Sequence, residues 1–194
     1  LTARDGATLN GDIITSSTNT ATNFIVINGP ATVSADRIVR TGGGAAGNGG
    51  GSTFIDIDSA TGDTDNTGRD LTLDAGAGAV TVGDIGTSAA ADRINVVDID
   101  GDAGVTLNGS IFTSDEGGAG GGINIDGAVT ITTTTTFDAT DASGSAAGSL
   151  TVQDAFDGDQ DLTLNVDGTT DFQGAVGATT ALGDGTGAAI TINS

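Results

Sequence analysis

The chain has 194 residues, the size of one domain, and carries 26 acidic residues against five basic ones, a net charge of −21. That charge excludes duplex nucleic acid and anionic membranes as partners and favours cationic ones. The absence of His, Cys, Met, Trp, Tyr and Lys removes disulfides, thiol chemistry and the usual nucleophile–base pairs.

Leu, Ile, Val and Phe number 43, about 22% of the chain, just above the ~20% below which a highly charged sequence reads as disordered. Their spacing argues for order. One formula recurs along the chain: apolar, polar, apolar, small polar. It appears as Ile25–Asn28, Ile55–Asp58, Leu71–Asp74, Val105–Asn108, Ile123–Asp126, Leu150–Gln153, Leu162–Asn165 and Ile190–Asn193, with shorter copies at Val80–Val82 and Val129–Ile131. Period two with β-branched residues predicts strands with one buried face and one face of Thr, Asn or Asp. The 34 glycines oppose helices throughout. No apolar run approaches the ~18 residues of a membrane-spanning helix, so no membrane insertion is expected.

The strands close on Asx-Gly pairs: Asn28-Gly29, Asn108-Gly109, Asp126-Gly127 and Asp167-Gly168. Each alone reads as a hairpin turn, and in series they read equally as corners of a coil. The glycine-rich stretches 42–51 and 117–122 read as surface loops, and neither has the phosphate-loop pattern.

The chain also repeats itself. "ATLNG" (7–11) returns as "VTLNG" (105–109), and "INGPATV" (27–33) as "IDGAVTI" (125–131), both at an offset of 98; "DLTL" recurs at 70–73 and 161–164, an offset of 91. This predicts two similar halves, 1–97 and 98–194, within one continuous unit. Joined in imagination, Ser194 to Leu1, the ends read "ITINSLTARDGATLNG", in phase with residues 94–109. The chain, which opens without Met, is therefore expected to be a processed product or an excerpt, one period of something longer.

Corner-like sites near residues 5, 28, 57, 76, 102, 126, 154 and 167 suggest an all-β fold, a β-solenoid of about eight coils at ~24 residues per coil. The alternative is two tandem β-sandwich modules of ~97 residues.

An enzyme is not expected, because the usual catalytic side chains are missing. Metal binding is the better chemical expectation. Asp98, Asp100 and Asp102, and again Asp157, Asp159 and Asp161, place carboxylates at every second residue, which suits a hard cation such as calcium. The first run resembles the opening of an EF-hand loop and then departs from it, since Gly109 stands where a bidentate Glu is required. The competing reading is turn chemistry on a solvated edge. Asp63, Asp65 and Asp70 around Arg69 read as local charge pairing. The Thr132–Thr136 run suits a strand, or an outward Thr row able to order water. Asn108-Gly-Ser110 is the only N-glycosylation sequon.

The phrases "LTLNVDGTTDFQGAVGATTALGDG" (162–185) and "GATLNGDIITS" (6–16), with "VTVGDIG" (80–86) matching "DFQGAVG" (171–177), resemble repeats of giant bacterial surface proteins of the filamentous-haemagglutinin-like and β-strand-repeat type. The resemblance implies secretion, cell-surface display and a β-helical stalk, and it carries over no catalytic residue. The expectation is an extracellular structural module that stacks head to tail on itself. The alternative is an adhesin domain for a glycan or cationic surface.

Overall fold

The computed structural model describes residues 2–15, 23–41, 54–62, 68–89, 92–114, 121–140 and 147–193. Both glycine-rich stretches, apart from Gly121 and Gly122, together with Asp63, Asp65, Leu1 and Ser194, lie outside them. The described residues form nineteen strands and no α-helix, and every strand pairing is parallel. The architecture is a β-solenoid. The antiparallel pairing of a β-sandwich is absent among the described residues, so that alternative is set aside.

The strands stack in three columns. Column one holds Thr2–Ala3 (β1), the leading halves of Phe24–Val33 (β4), Phe54–Gly62 (β6) and Ala79–Ile85 (β8), then Gly104–Leu107 (β10), Val129–Ile131 (β13) and Phe156–Asp157 (β16). Column two holds Ala7–Leu9 (β2), the trailing halves of β4, β6 and β8, then Ile111–Phe112 (β11), Thr135–Ala139 (β14), Leu162–Val166 (β17) and Ile190–Asn193 (β19). Column three holds Ile13–Thr15 (β3), Arg37–Thr41 (β5), Asp70–Gly76 (β7), Val96–Gly101 (β9), Gly122–Asp126 (β12), Ser149–Val152 (β15) and Thr170–Phe172 (β18).

Following one position up column one, Thr2 leads to Val26, Asp56, Thr81, Thr106, Thr130 and Asp157. These are six turns, with steps of 24, 30, 25, 25, 24 and 27 residues, rising roughly 29 Å at strand spacing. The expected eight coils are therefore corrected to about six. The overcount arose because each turn has three corners. Residues 5, 28 and 57 close column-one strands, 76, 102, 126 and 154 close column three, and 167 closes column two. A list that mixes three corner columns does not count turns.

The twin phrases likewise occupy different columns. Asn10 follows a column-two strand and Asn108 a column-one strand. Leu71–Leu73 lies in column three and Leu162–Leu164 in column two. Each displacement is eleven strand-plus-corner units, or three turns and two thirds. The 97/98 border between the halves runs through β9.

The core is a set of aliphatic ladders. Ile25, Ile55, Val80, Val105, Val129 and Phe156 stack in register up column one, each at most 1% exposed. Val39, Leu73, Ile99, Ile125, Val152 and Phe172 do the same in column three, Phe172 half-buried at the top. Each fully buried Val, Ile or Leu contributes about 1.5–3 kcal/mol. Towards the C-terminal end Phe137, Phe156 and Phe172 fill the interior edge to face, at centroid distances of 6.0 and 5.4 Å.

Two of the Asx-Gly glycines show why the corners need glycine. Gly127 has φ 127°, and a Cβ there would run into the carbonyl of Gly101. Gly109 has an ordinary φ, but a Cβ there would lie 2.5 Å from the amide nitrogen of Asp84 in the turn below. The pairs are corners of a coil rather than hairpins.

Candidate functional site: an acidic ladder and an open end

Alternation along β9 places Asp98 and Asp100 together on the outer face of column three, while Asp102 sits beyond the strand at the corner. Stacking then adds carboxylates that linear spacing does not reveal. Asp74, Asp100 and Asp126 lie in register on three successive turns, and Asp98 lies between Thr72 and Asn124. The ladder begins at Arg40, whose Nε donates to Asp74 Oδ2 at 2.7 Å. It ends beside Gln153, which follows β15.

Among the described residues of this ladder, Asp74 alone pairs with an arginine, Arg40. Asp100 is withdrawn from solvent and faces the charges of Asp74, Asp102, Asp126 and Asp98, which together push its carboxyl up to about 6. Asp98 is raised by the same causes, desolvation first and then Asp74 and Asp126.

The second run works differently. Asp157 Oδ1 accepts the amides of Thr179 and Thr180 at 2.9 and 3.2 Å, and these bonds, Thr179's foremost, hold its carboxyl below the ordinary range. Asp159 accepts from Gln160 Nε2 at 2.9 Å, and Asp161 receives the Asp184 amide at 3.4 Å. The run thus anchors segment 173–189 over the end of column one, where Val176 bridges to Phe156 and Leu182 packs on the core. Among the described residues no group of three or more carboxylates converges to hold a metal ion.

The Thr run is a corner rather than a flat row. Thr132–Thr134 turn the chain, and Thr135 is buried with its hydroxyl donating to the Thr133 carbonyl at 3.0 Å. The outward Thr ladders are built from separate strands instead: Thr81, Thr106 and Thr130 in column one, and Thr8, Thr32 and Thr61, and again Thr136, Thr163 and Thr191, in column two.

Sequence reasoning missed a polar staple on the outer face of column two. Arg93 Nη1 donates to Asp138 Oδ1 at 2.8 Å, and its guanidinium lies 5.8 Å from the Phe112 ring centroid. Asn165 Nδ2 donates to Asp138 Oδ2 at 3.2 Å, and Asn193 Nδ2 to Asn165 Oδ1 at 2.8 Å. Burial would raise the Asp138 carboxyl, but hydrogen bonds from Thr140 and Arg93, and the Arg93 charge, outweigh it and hold the group low. These partners are 27 to 45 residues apart, so no local motif announces them.

Among the described residues no strand covers either end of the solenoid. At the top, β19 continues column two, yet Ile190 and Ile192 are 43% and 69% exposed, while Leu162 and Leu164, their partners one rung below, are 1% and 3% exposed. At the bottom Ala3, Ala7 and Ile13 are only partly buried, and Ile14 is 46% exposed on the outer face. No protein-family model matches the chain, and no curated protein or solved structure matches it significantly.

Proposed function

We propose that the chain is an extracellular structural repeat module, which forms or extends a surface filament or stalk by head-to-tail stacking of β structure. One observation carries this reading: β19 is a fully formed rung whose inward Ile190 and Ile192 are 43% and 69% exposed, with no strand above them among the described residues. Another parallel strand laid on that edge would bury both side chains and pair the free backbone groups, which otherwise template uncontrolled aggregation. The in-phase sequence of the two ends and the resemblance to bacterial surface repeats support the same reading, and the resemblance carries its cell-surface assignment. No residue is assigned a catalytic role.

Electron microscopy of the purified chain at physiological salt tests it. Regular fibres with an axial repeat of roughly 35 Å are expected, the roughly 29 Å of the six column-one steps plus the further step up to β19. A chain that remains monomeric at every concentration overturns the reading.

The acidic ladder favours a second reading, an adhesin-type module whose column-three face grips a cationic surface. Binding of the monomer to polycationic beads, lost on replacing Asp98 and Asp126 by Asn, would distinguish it.

A further inference from the structure

The ends of the solenoid are spiral steps, and their shapes fit one another in only one of three azimuths. At the bottom the lowest strand is β1 in column one, followed by β2 in column two and β3 in column three. At the top the last three positions are β18 in column three, the Val176 bridge in column one and β19 in column two. The next vacant position on the spiral therefore lies in column three, above β18.

We infer that a second copy of this chain docks head to tail on this end, turned two thirds of a turn about the common axis. Its β1 then lies over β18, its β2 over the Val176 segment and its β3 over β19. This inference rests on the filament reading and adds the partner's orientation. With no rotation, β1 of the second copy would lie over the Val176 segment and β2 over β19, and column three would lack one rung. In the third azimuth β1 would lie over β19, and two columns would each lack a rung. A missing rung leaves strand edges unpaired and the ladder below it uncovered. Only the two-thirds turn fills every position. It continues the Leu164–Ile192 ladder with the half-buried Ile13 of the second copy.

Charge opposes a tail-to-tail contact. All five arginines fall in residues 1–97, against eleven acids, a net −6; residues 98–194 hold fifteen acids and no base, a net −15. Two C-terminal ends therefore repel most, whereas the inferred docking sets Arg4 of the second copy in the column of Asp171. The same rotation places the acidic third column of one copy above the second column of the copy below, so like-charged ladders do not run on from copy to copy.

The chain has no cysteine, so introduced cysteines report the azimuth without background. Asn193 points outward on β19, Ile14 and Thr8 point outward on β3 and β2, and the exposed Arg4 follows β1 on its outer side. In the register that sets Ile13 over Ile192, Ile14 lies over Asn193, and neighbouring parallel strands hold such pairs within disulfide reach. A chain carrying Asn193→Cys is mixed, under mild oxidation, with chains carrying Ile14→Cys, Thr8→Cys or Arg4→Cys. The expected result is a mixed dimer with Ile14→Cys at ten-fold or greater yield over the other two. Dominant linkage to Thr8→Cys or Arg4→Cys overturns the azimuth, and so does the absence of every link in a chain that still polymerises. Sedimentation of the unsubstituted chain, run in parallel, tests the filament reading on its own; a monomer there overturns both.

Discussion

Columns two and three each carry aspartate on their outer faces, singly in column two and stacked in column three, and the two settings behave in opposite ways. In column two, Asp138 sits between Phe112 below and Asn165 above, with Arg93 and Thr140 donating to it, and its carboxyl is held low. In column three, Asp100 sits between Asp74 and Asp126, and its carboxyl is pushed up to about 6. A parallel solenoid stacks like positions on like, so its own symmetry brings equal charges together. An acidic row is stable only where donors interrupt it. The column-two face is a staple, and the column-three face is a source of repulsion that the core must outweigh.

The largest break in that contrast is expected from Arg93→Ala. It strands the largely buried Asp138 carboxylate, whose side chain is 13% exposed against 8% for Arg93. A loss of about 3 kcal/mol is expected in chemical denaturation, the order found when one partner of a shielded ion pair is removed. A loss too small to measure would show the staple to be ornamental.

Asp100→Asn is expected to do the reverse and stabilise the fold at pH 7 by about 1 kcal/mol, the scale of a like-charge cross-strand pair. The gain should shrink as the pH falls through 6 and be gone by about pH 4. Asp100 has a folded-state pKa of about 6, above its ordinary value of 3.8, so the fold takes up the proton more readily than the unfolded chain. Stability therefore rises as the pH falls from 7 through 6, and this contribution levels off below about 4. Asp138 has the opposite sign: its lowered pKa gives stability that is present above the unfolded value near 3.8 and is lost as the pH falls further. Thermal melts from pH 3 to 8 should show a maximum between about 4 and 6 in the wild type, flattened on its alkaline side in Asp100→Asn. A wild-type maximum at or above pH 7 would contradict the ladder's electrostatics.

The smallest effect is expected from calcium. Millimolar calcium should raise the melting temperature by about 2–4 °C, equivalent to about 1 kcal/mol for a chain of this size, through screening and bridging of the column-three carboxylates. The rise should be smaller in Asp100→Asn. Equal shifts in both proteins would move the effect away from this ladder.

The strands, their inward faces and the corner residues were legible in the sequence because they are local. Period two names the buried partner in Ile25–Ile27 as clearly as in Ile123–Ile125, and Asp126-Gly127 announces its turn. The solenoid was legible from the recurrence of those units. The number of turns was not, because a strand and corner of eight or nine residues look alike in any of the three columns. The same ambiguity makes "DLTL" at 70–73 and 161–164 twins in spelling and strangers in azimuth. Of the acidic runs, the pairing of Asp98 with Asp100 on one face followed from alternation. Asp74 and Asp126 joined them only through register, and Asp157 found its partners in Thr179 and Thr180, on a segment with no periodic pattern. The Arg93–Asp138–Asn165–Asn193 staple spans four turns and left no trace in local spacing.

Every ladder hydrogen bond in this molecule points along its long axis. An axial pull therefore tugs on three columns per turn together, and the unit that gives way is one outermost turn. Once freed, about 26 residues that had occupied about 4.8 Å of length stretch to roughly 85 Å. A shaft built in this manner lengthens under load by paying out slack from its tip, while the coils behind keep their shape.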